Sequence, residues 1–190
     1  MRLNFHITNI TSKPFDNPHI KSLILRYIRR LNELHQMTVS ICDPFANDSA
    51  RLWEGAMVTS NDINTEFETT YNMEANDFGE EMERKGRMFD LVLFDPPYSL
   101  RQLKDCYDGV GKDLDLWQTQ NMWGRCKNAL AQCIPVGGYV IHLGWHSHGF
   151  GKNRGFEKVE MMVCEQAGKD ERYNVLVTVE QKTQASIFDY

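Results

Sequence analysis

The chain has 190 residues, 42% hydrophobic and 25% charged, with a formal net charge of −5. That length suits one domain with a sizeable core, and the composition excludes collagen-like and intrinsically disordered classes. The acidic balance opposes binding of nucleic acid by overall charge alone.

The charge is unevenly spread. Residues 1–36 hold six Lys and Arg against two acids, and the remainder holds 15 against 24. This stretch is either a local basic face or a solvated helix surface. No window approaches the roughly 18 continuous apolar residues of a membrane span. The opening MRLNFHITNITSKPF lacks the charged, apolar and small-residue order of a signal peptide, so a cytoplasmic location is expected. Five cysteines (42, 106, 126, 133 and 164) form no Cys-x-x-Cys pair, which favours reduced thiols over a disulfide framework or zinc ribbon.

In chain order, residues 1–36 form an N-terminal strand/helix element. Within it, Ile20, Leu23, Ile24, Tyr27, Ile28, Leu31 and Leu34 recur at helical spacing over 17–35, with Asn17 as N-cap and Pro18 in the first turn. Strands are expected at 37–43, 56–62, 71–77 and 88–95, with a helix over 77–86 following the third. A polar loop should run over 98–113 and a helix over 114–134, stopped by Pro135 and the Gly137-Gly138 pair. A strand at 139–145 is followed by a hairpin of 155–165 and 173–181 around a turn at 167–171, and then by an irregular tail at 183–190. Strands that alternate with helices and close on a hairpin predict an α/β fold. It is Rossmann-like, a mostly parallel seven-stranded sheet with a terminal antiparallel hairpin, in a single domain over 1–190.

Four of these strands end in an aspartate: Asp43, Asp62, Asp77 and Asp95. One such Asp is ordinary, because Asp favours turns and caps. Four at the carboxyl edge of a parallel sheet would line the crevice where such sheets bind ligands. The fourth strand is the most pointed, because the apolar run in FDLVLFDPPYS stops on Asp95-Pro96-Pro97-Tyr98.

Asp43-Pro-Phe, Asp62, Asp77-Phe78 and Asp95-Pro-Pro-Tyr98, followed by Pro135-Val-Gly-Gly-Tyr, resemble the class I S-adenosylmethionine-dependent methyltransferases. The DPPY element is similar to that of amino-methyltransferases, above all small phage and bacterial DNA N6-adenine enzymes. The resemblance spans roughly residues 14–181 and implies S-adenosyl-L-methionine as cofactor. Asp95 and the Pro96 carbonyl would accept hydrogen bonds from an exocyclic amine and favour a pyramidal nitrogen aimed at the methyl group. Pro96 and Pro97 would stiffen the backbone, and Tyr98 would stack on a flipped base.

By the same resemblance, Asp43 would sit near the methionine ammonium, with Pro44, Phe45, Ala46 and Asn47 around it. Asp62 would accept from the ribose hydroxyls, Asp77 would take the adenine amine, and Phe78 would lie against the ring. Phe15, in KPFDNP, would either cover the cofactor or staple the following helix. Tyr98, Ser99, Arg101 and Lys104 would border the acceptor channel, although Arg101 and Lys104 also read as solvated loop residues. The sequence departs from the family in the first loop, DPFANDSARLW, where Asn47 and Asp48 stand at positions where glycine is common. Both tolerate left-handed backbone better than other non-glycine residues.

His146 and His148 have the spacing of two metal ligands without a third, so no metal is expected. The glycines at 149, 151 and 155 precede a strand rather than a helix, which suits a turn at the site mouth better than a phosphate cradle. No block is left over for target recognition, so a homodimer mate or partner subunit would supply it, or loops would read a short site. Adenine N6 in DNA is the preferred acceptor. An RNA base amine, or a non-catalytic cofactor-binding subunit of a methylation complex, is the alternative; no membrane association is expected.

Overall fold

The computed structural model describes residues 1–9, 13–111, 123–166 and 174–185. The strands are β1 (Arg2–Thr8), β2 (Ser40–Asp43), β3 (Met57–Ser60), β4 (Leu91–Phe94), β5 (Tyr139–Gly144), β6 (Phe156–Gln166) and β7 (Val175–Lys182). The helices are α1 (Pro18–His35), α2 (Ala75–Arg84), α3 (Leu100–Gly109) and α4 (Gly124–Gln132). One seven-stranded sheet runs in the order β1-β6-β7-β5-β4-β2-β3. Every pairing is parallel except the two made by β7, with β5 and with β6. This is the expected mostly parallel seven-stranded sheet with an antiparallel hairpin formed by the last two strands of the chain, and it is the class I methyltransferase fold.

The continuous apolar run in β4 follows from burial on both faces. Leu91 and Leu93 point to the α1 side, where Ile20, Leu23, Ile24 and Leu31 pack with Ile41, Ile141 and Val177. Val92 and Phe94 point to the other side, where Phe78 and Met82 of α2 meet Cys126 and Leu130 of α4. Each fully buried aliphatic or aromatic side chain contributes about 1.5–3 kcal/mol. Asn17 caps α1 as expected, accepting from the backbone N–H of His19 and Ile20 at 3.0 and 3.3 Å. Leu34 does not join the stripe; in the last turn of α1 it is 68% exposed.

A polar tie links α1 to β6, next to the edge of the sheet. β6 breaks register between Lys158 and Glu160, and Glu160 is almost wholly buried. Its carboxylate accepts from both Arg26 guanidinium ends at 3.0 and 2.8 Å, from the Tyr27 hydroxyl at 2.9 Å and from Asn4 at 2.7 Å. Burial pushes the Glu160 carboxyl up, but the Arg26 and Tyr27 hydrogen bonds outweigh it and hold it below the ordinary range.

Two expectations of secondary structure need correction. The segment 71–77 is no strand: Tyr71 makes a lone bridge to Asn61, and the seventh strand is β1 at the sheet edge. Alternation in RLNFHIT leaves Leu3, Phe5 and Ile7 on an uncovered face, at 48%, 68% and 72% exposure. The polar loop at 98–113 is largely helix α3, capped by Ser99, which accepts from the Gln102 N–H. Of the helix at 114–134, α4 covers Gly124–Gln132, and residues 112–122 lie outside the described residues, as do the 167–171 turn and 186–190. All five cysteines are free.

Candidate active-site cleft

The chain runs from β2 out to β3 on one side and returns to β4 on the other, so the order reverses between β2 and β4. At that switch point the carboxyl ends of neighbouring strands splay and leave a crevice. Asp43 ends β2, Asp62 follows β3 by two residues, and Asp95 directly follows β4. Three of the four strand-end aspartates therefore converge. They border or underlie a cleft of about 570 Å³, lined in part by Phe45, Asn47, Asp62, Glu74, Asp95 and Tyr107.

Asp43 lies beneath the cleft rather than on its wall. It is fully buried, and its carboxylate accepts from the Ser49 hydroxyl at 2.6 Å and the Phe45 N–H at 3.2 Å. Burial pushes its pKa up to about 7; these hydrogen bonds pull it down, and the charges of Asp95 and Asp62 add to the rise. Asp43 thus shapes the Pro44–Asn47 turn. Pro44, Phe45 and Asn47 reach the cleft, whereas Ala46 is buried with its N–H on the Asn61 carbonyl.

The glycine-poor turn survives through Asn47. Its φ of 46° is left-handed, and its N–H donates to Asp62 Oδ2 at 2.9 Å. Asp62 Oδ1 accepts from the Asn64 N–H at 2.8 Å, so two backbone donors fix this carboxylate on the cleft wall. Its pKa is raised by burial, against both of those donors.

Asp77 and Phe78 are not brought to the cleft. Helix α2 starts at Ala75, two residues before the expected helix start at 77, so Asp77 lies exposed in the first turn, 3.6 Å from Arg125. There its charge complements the helix N-terminus. Phe78 faces inward, fully buried, with its ring 5.6 Å from that of Tyr71. Glu74 takes the cleft position instead. It caps α2 by accepting from the Asn76 N–H at 2.8 Å and receives the Tyr107 hydroxyl at 3.3 Å. Its signal in the sequence is weak, because Glu is not a favoured N-cap residue.

Phe15 is buried edge-on against Trp53, 5.6 Å between ring centroids, and its neighbour Pro14 borders the cleft. Arg101 and Lys104 project from α3 into solvent, Arg101 being 3.9 Å from Asp105. Neither lines the cleft, whereas Gln102, Leu103 and Cys106 of the same helix do. The helical period, which the loop reading missed, decides which side chains turn inward.

Asp95 through Tyr98 form the cleft wall as expected. The Tyr98 hydroxyl donates to Asp95 Oδ1, and the Tyr98 N–H donates to Gln102 Oε1 at 2.8 Å. Burial pushes Asp95 up to about 7, against the lowering effect of that tyrosine bond. Asp95 Oδ2 has no partner among the described residues. Behind Pro96, Pro97 and Tyr98 lies a second cavity of about 490 Å³. The two hollows share these three residues, together with Leu103, Trp123 and Trp145. Among the described residues no His, Cys, Asp or Glu cluster suited to a metal is present.

No family model matches the chain, and no curated protein matches it. Solved structures do. TrmN from Thermus thermophilus superposes with a TM-score of 0.54 at 16% identity, over 87% of this chain and 49% of that one. A SAM-dependent methyltransferase from Agrobacterium tumefaciens gives 0.54 at 12% identity, over 85% and 62%. The N-methyltransferase NodS from Bradyrhizobium japonicum WM9, in complex with S-adenosyl-L-homocysteine, gives 0.50 at 11% identity, over 92% and 94%. The chain thus spans about half of TrmN but nearly all of NodS. At such identities the likeness is one of fold.

Proposed function

We propose that the chain is an S-adenosylmethionine-dependent methyltransferase acting on an exocyclic amine of a nucleobase, with adenine N6 in DNA as the preferred acceptor. The observation that carries this reading is the Asp95-Pro96-Pro97-Tyr98 element, held at the end of β4 in the wall between two cavities. Similarity to methyltransferases in fold, including one with S-adenosyl-L-homocysteine bound, supports the cofactor.

The cleft fits that cofactor. Asp62, Glu74, Asp95 and Asp105 line it, and no Lys or Arg does among the described residues. Such a lining favours a ligand bearing ammonium, sulfonium and hydroxyl groups and repels a phosphate. Asp62 would hold ribose hydroxyls, and Phe45, Phe67 and Met73 offer apolar surface to a ring. When bound, the cofactor supplies an electrophilic methyl group.

The rest belongs to the protein. An amine conjugated to a base ring is a weak nucleophile, because its lone pair is delocalised. Asp95 Oδ2 and the Pro96 carbonyl would each accept one N–H, favouring a pyramidal nitrogen whose lone pair points away from the ring. Asp95, with a pKa near 7, can also take up the proton that the alkylated nitrogen must lose. The Tyr98 ring would stack on the base, which must leave its duplex to reach this wall.

The test is transfer of radiolabelled methyl from S-adenosylmethionine to genomic DNA and to total RNA, with Asp95→Ala as control. Label in DNA that disappears in the variant, and that digests to N6-methyl-2′-deoxyadenosine, is the expected result. Label in RNA alone replaces the preferred acceptor by an RNA base amine. Label in neither, with cofactor still bound, leaves a non-catalytic subunit as the reading.

A further inference from the structure

The two cavities that meet at Pro96-Pro97-Tyr98 carry opposite charge. The cofactor cleft is lined by four carboxylates and, among the described residues, by no cation. The second cavity is lined by Lys127, Arg154, His142, His146 and His148, and by no Asp or Glu among the described residues. In a chain of net charge −5, a hollow of this sign is a local exception. Opposite polarity on the two sides of a single loop suits two ligands of opposite charge.

The two cations are held near each other on short tethers. Lys127 reaches from α4 to the Gly149 carbonyl at 2.9 Å and lies 5.2 Å from the Phe94 ring centroid. Arg154 donates from Nε to Asn128 Oδ1 at 2.8 Å and from Nη1 to the Phe150 carbonyl at 2.8 Å. Neither makes a salt bridge with a carboxylate among the described residues. The nearest acid, Glu180, is buried under the turn and occupied by the N–H groups of Phe150 and Gly151. An ammonium has three donors and a guanidinium five, so Lys127 keeps two to spare and Arg154 keeps its Nη2 group. Burial and the charge of Arg154 push Lys127 down to about 8, so an anion between the two groups would relieve both.

The floor of the cavity adds an independent sign. His142 on β5 is 2% exposed, and its Nδ1 has no hydrogen-bond partner. A buried polar atom of this kind is uncommon without a ligand or water to satisfy it. Above it, His146 stacks at 6.0 Å and 20°, and Trp145 stands 46% exposed at the mouth, 6.2 Å from the Tyr98 ring. Flat rings with cations behind them suit a base joined to a phosphate.

The geometry points to this second cavity as the place where the acceptor nucleotide is held, with its phosphate taken by Lys127 and Arg154. The inference rests on the methyltransferase reading and narrows it: the acceptor base is carried on a phosphorylated nucleotide unit, not on an unphosphorylated nucleoside. Neither residue is reached by the DPPY resemblance; the charge of the lining singles them out.

Calorimetry on protein saturated with S-adenosyl-L-homocysteine tests it, using 2′-deoxyadenosine 5′-monophosphate, deoxyadenosine and inorganic phosphate as probes. The monophosphate should bind at least about tenfold more tightly than the nucleoside, and the preference should weaken as salt rises. Arg154→Gln should erase the preference and leave S-adenosyl-L-homocysteine affinity unchanged. Arg154→Lys, which keeps the charge, should retain part of it, which separates anion binding from a merely structural tether. Equal affinity for nucleotide and nucleoside, no binding of either, or a preference that survives Arg154→Gln in folded protein overturns the inference. Failure to bind S-adenosyl-L-homocysteine at all in the wild-type chain is a different result, and it sinks the methyltransferase reading itself.

Discussion

The Tyr98 hydroxyl is hydrogen-bonded to Asp95 Oδ1, three residues away, so the ring proposed to stack on the acceptor also restrains the carboxylate proposed to bind it. That pairing leaves one carboxylate oxygen for an amine, and it keeps the Asp95 pKa lower than burial alone would. The two roles of Tyr98 separate by substitution. Asp95→Asn, which cannot accept a proton, should lower kcat by about 100-fold to 1,000-fold. Tyr98→Phe keeps the stack and should cost less than about tenfold, shifting the pH profile upward. Tyr98→Ala should raise the acceptor KM by the equivalent of roughly 1–3 kcal/mol of stacking. Steady-state kinetics on the three variants checks the order; equal losses for Phe and Ala would remove stacking from the account.

Cofactor affinity should depend on pH in a stated direction. Asp43 and Asp95 are both raised from 3.8 to about 7 by burial. Between about pH 4 and pH 7 the folded chain keeps protons that the unfolded chain has released, so the stability of the ligand-free protein falls as pH rises through that window. A cationic ligand in the cleft favours the ionised carboxylates, so its binding releases protons and tightens as pH rises through 7. Denaturation midpoints at pH 5 and pH 8 check the first statement, and calorimetry of S-adenosylmethionine in buffers of different ionisation heat checks the second. A pH-independent affinity would show that neither carboxylate feels the ligand.

Glu74 and Asp77 give opposite expectations. Glu74 lines the cleft and caps α2, so Glu74→Gln should weaken S-adenosyl-L-homocysteine binding while the helix stays capped in part. Asp77 faces Arg125 in solvent, so Asp77→Asn should leave that affinity within about twofold. A large loss at Asp77 would restore the role that its place in the sequence suggested.

The first loop yields a stability test. Asn47 adopts a φ of 46° and orients Asp62 through its N–H. Asn47→Gly should be tolerated within a few tenths of a kcal/mol, whereas Asn47→Val should cost about 1–2 kcal/mol and loosen cofactor binding with it. Denaturant melts with and without S-adenosyl-L-homocysteine report both quantities.

Arg26→Met should be more damaging than an exposed arginine suggests. It removes two of the four hydrogen bonds to the nearly fully buried Glu160, leaving Tyr27, Asn4 and the more distant Arg2, and losing hydrogen bonds to a charged group in this way costs about 1.5–3 kcal/mol. Because the Glu160 pKa is depressed, its stabilising contribution is present at neutral pH and is lost as pH falls through the carboxylate range. Chemical denaturation of the variant at pH 7 and pH 4 should show the gap to wild type narrowing in acid.

Much of the cleft was legible from residues near strand ends. The apolar run of β4 and the acid-proline-proline-aromatic stop after it fix both a buried strand and a crevice wall. Asn47 could be recognised as a stand-in for glycine, because so few residues accept positive φ. Asp77 misled, because Tyr71–Asp77 alternates weakly and its helix begins two residues before the expected start. α3 was hidden for a related reason: LRQLKDCYDG buries only one flank, and polar residues dominate the count. The second cavity had no local signal. Lys127, His142 and Arg154 lie on three separate elements, and only the folded sheet brings them behind Tyr98.

The pairing of β1 with β6 has a consequence for how the chain is made. Arg2 lies opposite Glu160 and Thr8 opposite Gln166, so each residue of the first strand waits for a partner 158 positions later. Made before the other six strands, β1 is among the last to find its place, since such distant closures form slowly. Until then Leu3, Phe5 and Ile7 travel on a nascent chain with nothing to pair against, and even in the finished protein that face stays bare. Slow synthesis at high temperature should therefore favour clumping through β1, and a charge at Phe5 should raise soluble yield without touching the cleft.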